Sequence, residues 1–148
     1  MERLKFYKIS KKPSQKKALI FFHGWKGNKK SFTNLPSILN LDNVDWYFPE
    51  GPYISEGNKE EKSWAQEIEP GIFSVDKTKV LLNLFIKENI LTDYNLENVF
   101  IMGFSQGAAV CYELFLDKKY IWGGVFPVAG FLRDSKRDII LNNKINNL

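Results

Sequence analysis

A serine flanked by two glycines is the strongest candidate for chemistry in this sequence. Residues 103–107 read Gly-Phe-Ser-Gln-Gly and match the pattern G-x-S-x-G, with Ser105 at the centre. An apolar run at 99–102 leads into the motif, and a helical pattern at 106–116 leads out of it. A strand, a sharp turn and a helix in this order are typical of a nucleophile elbow, in which strained backbone pushes the serine hydroxyl clear of the sheet. We therefore predict that Ser105 is a catalytic nucleophile; the alternative is a tight turn with an exposed serine.

The glycines of the motif and the helix that follows it support the same prediction. Side chains two residues before and two after the serine would collide in so sharp a turn, which explains Gly103 and Gly107. The backbone N–H of Gln106 opens the helix, where N–H groups have no acceptor within the helix and the helix dipole is positive. Such an N–H can stabilise an oxyanion. We expect a second donor in the loop after an early strand, and the N–H of Trp25 is our candidate.

His23, the only histidine in the sequence, invites the role of general base. In folds with this kind of elbow, however, the catalytic groups follow one another in the order serine, acid, histidine. His23 comes long before Ser105, at the end of an apolar run. We predict that it organises the oxyanion loop through hydrogen bonds, and we keep the general base as the alternative.

The elements that must position these residues alternate between short apolar runs and longer amphipathic stretches. Strands are predicted at 18–22, 44–48, 99–102 and 124–128, the last weakened by Pro127 because proline cannot donate to a sheet ladder. Helices are predicted at 31–41, 75–89 and 106–116, with Ser74 able to cap the second of them. This alternation predicts an α/β fold with a mostly parallel sheet and helices on both faces.

Four motifs resemble the phospholipase/carboxylesterase family of α/β hydrolases, which includes the acyl-protein thioesterases. They are Gly-Phe-Ser-Gln-Gly-Ala-Ala at 103–109, Phe-His-Gly-Trp at 22–25, Phe-Pro-Glu-Gly-Pro at 48–52 and Ser63-Trp64. The resemblance implies a three-layer sandwich and the hydrolysis of small carboxylic esters or acyl thioesters through an acyl-serine. It implies Ser105 as nucleophile and the N–H groups of Trp25 and Gln106 as oxyanion donors. It also places Trp64, the loop 50–58 and, more loosely, His23 near an acyl pocket.

The sequence departs from the family's pattern after the elbow. Family members continue with an aspartate after a further strand and a histidine after the last one, whereas no histidine follows Ser105 here. None of the carboxylates that do follow it can be assigned as the acid: Glu113, Asp117, Asp134 and Asp138. We therefore expect a chain that is truncated at its C-terminus, lacks the last strands and helices, and hydrolyses esters poorly. An uncovered sheet edge would then favour a homodimer.

Two alternatives to a truncated esterase stay open at this point. One is a catalytically inactive homologue that binds acyl groups or a protein partner. The other is an active enzyme that borrows a base, from His23 or from another chain.

Composition narrows the remaining possibilities. The chain of 148 residues, 44% of them hydrophobic, suits a single domain over 1–148. The net charge of +4 comes from scattered lysines without an aromatic-basic motif, which argues against nucleic acid as a partner. One cysteine, Cys111, allows neither an internal disulfide nor a cysteine metal cluster, and we expect no cofactor and no metal. Residues 1–17 do not resemble a signal peptide, and the apolar runs are too short for a membrane span, so we expect a cytoplasmic protein.

Overall fold

The structure, a computed structural model of the chain, describes residues 1–10, 16–41 and 43–132. The strands of this part are β1 Phe6–Ile9, β2 Lys17–Phe22, β3 Val44–Pro49, β4 Tyr53–Ser55, β5 Asn58–Ser63, β6 Gln66–Glu69, β7 Ile72–Ser74, β8 Val99–Phe104 and β9 Gly124–Val128. The helices are α1 Leu35–Leu39, α2 Asp76–Asn89 and α3 Gln106–Leu116, and a 3-10 turn, Leu96–Asn98, precedes β8.

Five strands form the central sheet, in the order β1-β3-β2-β8-β9. β2 pairs in parallel with β3 on one side and with β8 on the other, and β8 pairs in parallel with β9. Only β1 runs antiparallel, against β3. The prediction of a mostly parallel sheet is therefore confirmed. All residues of β2 after Lys17 are buried, as expected of a central strand covered on both faces.

The two faces of the sheet carry separate hydrophobic clusters, because successive side chains of a strand point to opposite sides. Ala18, Ile20 and Phe22 of β2 pack with buried residues of α2 and α3. Leu19 and Phe21 pack on the other face with Trp46 and Phe48, beneath partly buried Phe32 and Leu35 at α1. The three layers predicted from the family resemblance are thus present.

The four predicted strands are confirmed, with β8 extending two residues beyond the predicted end. Pro127 lies within β9, which pairs only with β8 among the strands described. A strand paired on one side tolerates proline, since its missing N–H can face away from the ladder. Pro127 therefore does not exclude a strand at 124–128, although it weakened the prediction of one from the sequence.

The helix predicted at 31–41 is wrong in extent, because α1 covers only Leu35–Leu39. Hydrogen-bonded turns precede it, including Ser31 N–H to the Asn28 carbonyl (3.1 Å) and Leu35 N–H to the Phe32 carbonyl (3.0 Å). The other two helices match their predictions within one residue at each end. Ser74 bonds the N–H of Asp76 through its hydroxyl (3.2 Å), at the first residue of α2.

Two β-hairpins and strand β1 were not predicted. The hairpins, β4–β5 and β6–β7, turn at Glu56-Gly57 and near Gly71, where positive φ angles occur (46° and 78°, then 76°). β5 carries Asn-Lys-Glu-Glu-Lys-Ser and lacks the alternation of apolar and polar residues that marks a strand. These hairpins lie between β3 and α2 and form one wall of the site.

Apolar side chains are exposed around β9. Phe104, Phe126, Val128 and Phe131 are 41 to 53% exposed, although Phe126 stacks on Phe100 at 6.5 Å between ring centroids. Among the residues described, no helix is long and apolar enough to cross a membrane.

Candidate active site

Ser105 stands on a strained turn between β8 and α3. Its φ of 53° and ψ of −113° fall in a region that residues with a side chain rarely adopt. The Ser105 N–H donates to the Val128 carbonyl of β9 (3.0 Å), which fixes the turn against the neighbouring strand. A Cβ at Gly103 would lie 2.2 Å from the Gly107 carbonyl oxygen, and one at Gly107 would lie 2.0 Å from that of Phe22. The two glycines are thus required by backbone contact.

The first turn of α3 follows the serine directly. The Ser105 carbonyl accepts the N–H groups of Ala108 (3.0 Å) and Ala109 (3.2 Å), so the helix begins directly after the turn. The N–H of Gln106 precedes these bonds and has no carbonyl acceptor within the helix. It lies beside the Ser105 side chain at the positive end of the helix dipole.

The loop after β2 lies against the same turn. A Cβ at Gly24 would be 3.4 Å from the Phe104 carbonyl oxygen and 3.6 Å from Ser105 Cβ, so the loop packs against the elbow at van der Waals distance. The Gly24 carbonyl accepts the N–H of Gly27 (3.0 Å) and lies 2.7 Å from Nδ1 of His23. Because a trans peptide unit is planar, the N–H of Trp25 points opposite to this anchored carbonyl. The loop conformation thus fixes the direction of the Trp25 N–H.

His23 has both ring nitrogens engaged. Nε2 must accept, because the group 2.9 Å away is the N–H of Gly51, and Nδ1 therefore carries the proton that it donates to the Gly24 carbonyl. The residue is 2% exposed, and burial lowers the pKa of His23 to about 4. A neutral ring in this position ties the loop 23–27 to the turn at Gly51.

Further contacts of the loop also lead to β5 and to the end of β3. The Glu50 carboxylate is almost fully buried and pairs with Lys29 Nζ at 2.9 Å. The Lys62 N–H donates to the Gly27 carbonyl (2.9 Å), and the Asn28 side chain donates to the Glu60 carbonyl (3.0 Å). The loop is therefore held along its length.

Trp64 joins the loop to the elbow. Its indole Nε1 donates to the His23 carbonyl (2.9 Å), and its ring packs edge-on against Phe22 and tilted against His23. Its backbone N–H donates to the side-chain Oε1 of Gln106 (2.9 Å). The sequence indicated Trp64 but gave no signal for the Gln106 side chain, because this contact joins residues far apart in the chain.

A cavity of about 1210 Å³ opens beside Ser105. Its wall comes from the two hairpins and from the facing sides of α2 and α3, and it is mostly apolar. Trp25, Trp64, Ser105 and Gln106 line it, together with residues 52–56 of the predicted pocket loop 50–58. His23 is not part of this wall, because its ring lies behind Trp64.

The carboxylates after Ser105 divide into two groups. Glu113 and Asp117 line the end of the cavity toward the C-terminus of α3, where Glu113 pairs with Lys79 at 3.4 Å. Asp134 and Asp138 lie outside the described residues. In the part of the chain that the structure describes, no group of three His, Cys, Asp or Glu residues could hold a metal ion.

Comparison with known proteins assigns the chain to a family. It is 26% identical over 151 aligned positions to acyl-protein thioesterase 1 of Kluyveromyces lactis, covering 91% of this chain and 66% of that protein. It is 30% identical to acyl-protein thioesterase 1 of Debaryomyces hansenii, covering 88% and 64%. The chain thus spans slightly less than two thirds of the length of these relatives.

The fold has solved counterparts, and a family model covers nearly the whole chain. The crystal structure of esterase PE8 superposes with a TM-score of 0.77 at 15% identity, covering 92% of this chain and 68% of that one, a likeness of fold alone. The model of the phospholipase/carboxylesterase family matches residues 6–146, so the chain belongs to the phospholipase/carboxylesterase family.

Proposed function

We propose that this chain carries the nucleophile and the oxyanion donors of a hydrolase acting on small carboxylic esters or acyl thioesters. The observation that carries the proposal is the backbone of Ser105, held at a φ of 53° between β8 and α3 at the edge of the cavity. Strain of this kind costs roughly 1–3 kcal/mol and persists where the surrounding structure enforces it, often at active sites. The names of the relatives, acyl-protein thioesterases, support the substrate class.

The reaction follows from these groups. Ser105 Oγ attacks the carbonyl carbon of the substrate, its proton leaves to a base, and the carbonyl oxygen becomes an oxyanion. The N–H groups of Trp25 and Gln106 stabilise that oxyanion. Its collapse expels the alcohol or thiol, and water then releases the carboxylic acid from the acyl-serine.

We further propose that the polypeptide 1–148 by itself performs this reaction poorly. A serine hydroxyl is a weak nucleophile until a base removes its proton. The one histidine of the sequence, His23, is buried, neutral and bonded through both nitrogens, which argues against its serving as that base. Oxyanion donors and binding alone leave roughly 10³–10⁴-fold catalysis over water in enzymes stripped of such groups.

The second candidate function is that of an inactive homologue that binds an acyl group or a protein segment. The mostly apolar cavity favours this function, because the binding of an acyl group there needs no general base. Under this proposal Ser105 is dispensable for binding.

The exposed apolar residues of β9, which pairs only with β8 among the strands described, support a third proposal, a homodimer formed through this side of the sheet. An edge strand with exposed apolar side chains favours pairing with another chain. Sedimentation velocity would show a dimer that Phe126→Glu dissociates; a monomer at all concentrations would contradict the proposal.

We also propose a cytoplasmic location, which the single thiol, Cys111, supports because it needs no oxidising compartment.

The nucleophile is tested with an added base. The polypeptide 1–148 is incubated with p-nitrophenyl butyrate over a range of imidazole concentrations, beside Ser105→Ala and His23→Ala, and acid-quenched samples are examined by mass spectrometry. We expect a low rate without imidazole. Imidazole by itself hydrolyses this ester, so the expected signal is a rate above that of imidazole with Ser105→Ala, rising with imidazole concentration, and a butyryl group on Ser105.

Each outcome separates the proposals. Equal rates for the unmodified chain and Ser105→Ala at every imidazole concentration, without a butyryl adduct, would leave the inactive binding homologue. High activity without imidazole that His23→Ala abolishes, and that added imidazole restores in this variant, would indicate His23 as the base; a loss that imidazole does not restore would reflect the loop that His23 holds.

A further inference from the structure

We propose that the side-chain amide of Gln106 is a positioning group that clamps the segment 63–65 to the elbow and thereby holds the oxyanion loop. The inference rests on the proposed function, in which the backbone N–H of Gln106 stabilises the oxyanion. Any residue other than proline supplies that N–H, so the oxyanion role does not explain the side chain.

The amide makes a two-point contact with the segment. Oε1 accepts the backbone N–H of Trp64 at 2.9 Å, and Nε2 donates to the Ser63 hydroxyl at 2.9 Å. The Ser63 hydroxyl in turn donates to the Ala65 carbonyl at 2.6 Å. Ser63 and Trp64 are 5% and 1% exposed. Buried donors that lose their acceptor pay the full cost of desolvation, so the segment is held firmly.

The clamped segment also holds the oxyanion loop. The indole of Trp64 donates to the His23 carbonyl at 2.9 Å, and the Trp64 carbonyl accepts the Thr78 hydroxyl of α2 at 2.5 Å. The segment packs so closely on the turn at Gly51 that a Cβ there would lie 2.3 Å from the Ser63 carbonyl oxygen. Trp64 is therefore fixed from three sides, one of them the Gln106 side chain.

One path of hydrogen bonds consequently links the two proposed oxyanion donors. It runs from Gln106 through Trp64 to the His23 carbonyl, and from the His23 ring to the Gly24 carbonyl. That carbonyl sets the direction of the Trp25 N–H. Because oxyanion stabilisation needs both donors aimed at one oxygen, loss of the clamp should misalign the Trp25 N–H without removing it.

Two variants test the clamp. Gln106→Met keeps the backbone N–H and nearly the length of the side chain but loses both hydrogen bonds of the amide. Ser63→Ala removes the hydroxyl that accepts from Nε2, together with the bonds of that hydroxyl to Ala65, and serves if Gln106→Met does not fold. Asn89→Leu is the matched control. It also removes a hydrogen bond of a side-chain amide, the one to the Phe85 carbonyl (3.1 Å), but at the C-terminal end of α2 and outside the proposed clamp.

Two measurements are made on each variant of the polypeptide 1–148. The first is the amide shift of Trp25 in a ¹H–¹⁵N spectrum of the free protein. The second is the affinity for butylboronic acid, whose boron bonds to Ser105 Oγ while the hydroxyl proton goes to solvent, giving a tetrahedral anion that mimics the oxyanion intermediate. Ser105→Ala defines the affinity without that bond.

We expect Gln106→Met to shift the Trp25 amide resonance and to weaken butylboronic acid binding about tenfold, with Asn89→Leu close to the unmodified chain. A side chain that only adds stability would lower the melting temperature and leave both readouts unchanged, and that result overturns the proposal. Equal binding by the unmodified chain and Ser105→Ala would instead contradict the proposed function, while the Trp25 amide would still decide the clamp.

Discussion

Replacement of Gly107 by alanine sets two physical effects against each other. Gly107 lies in the first turn of α3, and alanine is favoured over glycine within a helix by about 1 kcal/mol. Helix propensity alone therefore predicts a more stable protein. The added methyl group, however, would lie 2.0 Å from the Phe22 carbonyl oxygen and 2.6 Å from that of His23.

The size of the clash decides whether Gly107→Ala raises or lowers the free energy of unfolding. The methyl group would be 1.4 Å closer to the Phe22 oxygen, and 0.8 Å closer to the His23 oxygen, than the 3.4 Å at which ordinary contact begins. Both oxygens belong to the backbone at the end of the central strand β2, so neither can turn away, and α3 must shift instead. Overpacking of this kind costs about 1–3 kcal/mol and occasionally more. With two backbone contacts we expect the upper end, and a net loss of about 2 kcal/mol after the helix term.

Thermal unfolding followed by circular dichroism measures this loss. A net 2 kcal/mol corresponds to a fall in Tm of roughly 4–8 °C for a domain of this size. Gly124→Ala is the control, because its methyl group would first meet side-chain rings, that of Phe100 at 2.9 Å and that of Phe126 at 3.1 Å, and rings can move aside where backbone cannot. We expect this variant to stay within about 1 kcal/mol of the unmodified chain. A Gly107→Ala protein at or above the original Tm would refute the reasoning, since α3 and β2 would then not be in contact.

Three further predictions concern buried or strained groups. Because burial lowers the pKa of His23 to about 4, its contribution to stability is complete above pH 6.5 and is lost as the pH falls from 6.5 toward 4, by roughly 3 kcal/mol. Urea unfolding at pH 7 and pH 4.5 should show this loss, and His23→Gln should flatten it; parallel curves would contradict the prediction. Ser105→Gly should be about 1 kcal/mol more stable than Ser105→Ala, because only glycine relieves the positive φ, and equal Tm values would argue against strain. Tyr94→Phe should lower the free energy of unfolding in urea by about 1–3 kcal/mol, because the buried Asp45 carboxylate loses a hydroxyl donor; an unchanged midpoint would contradict this.

The fold could be predicted from the sequence largely because the central strands are continuous apolar runs. Ala18 to Phe22 has no polar residue, and a short run of this kind between polar residues suits a strand buried on both faces. The hairpins could not be predicted in this way, since β5 carries charged residues and is held by pairing with β4. α1 was predicted too long because the spacing of Phe32 and Leu35 also suits turns.

The candidate site could likewise be predicted only in part from the sequence. The motif at 103–107 predicts the elbow because a sharp turn between strand and helix requires glycines at fixed positions. The family's Phe-His-Gly-Trp motif similarly predicts which loop faces the serine. Neither motif contains the contacts that join these two pieces.

What the sequence by itself determined was the local chemistry: a strained serine, a helix start behind it and a glycine-containing loop in front of it. What only the tertiary structure decided was the use of side chains between distant segments. Folding brings the Gln106 amide to Ser63 and Trp64, buries His23 between Gly24 and Gly51, and closes a cavity with two unpredicted hairpins. Hydrogen bonds and burial of this kind depend on distances across the fold, which residue spacing along the chain does not encode.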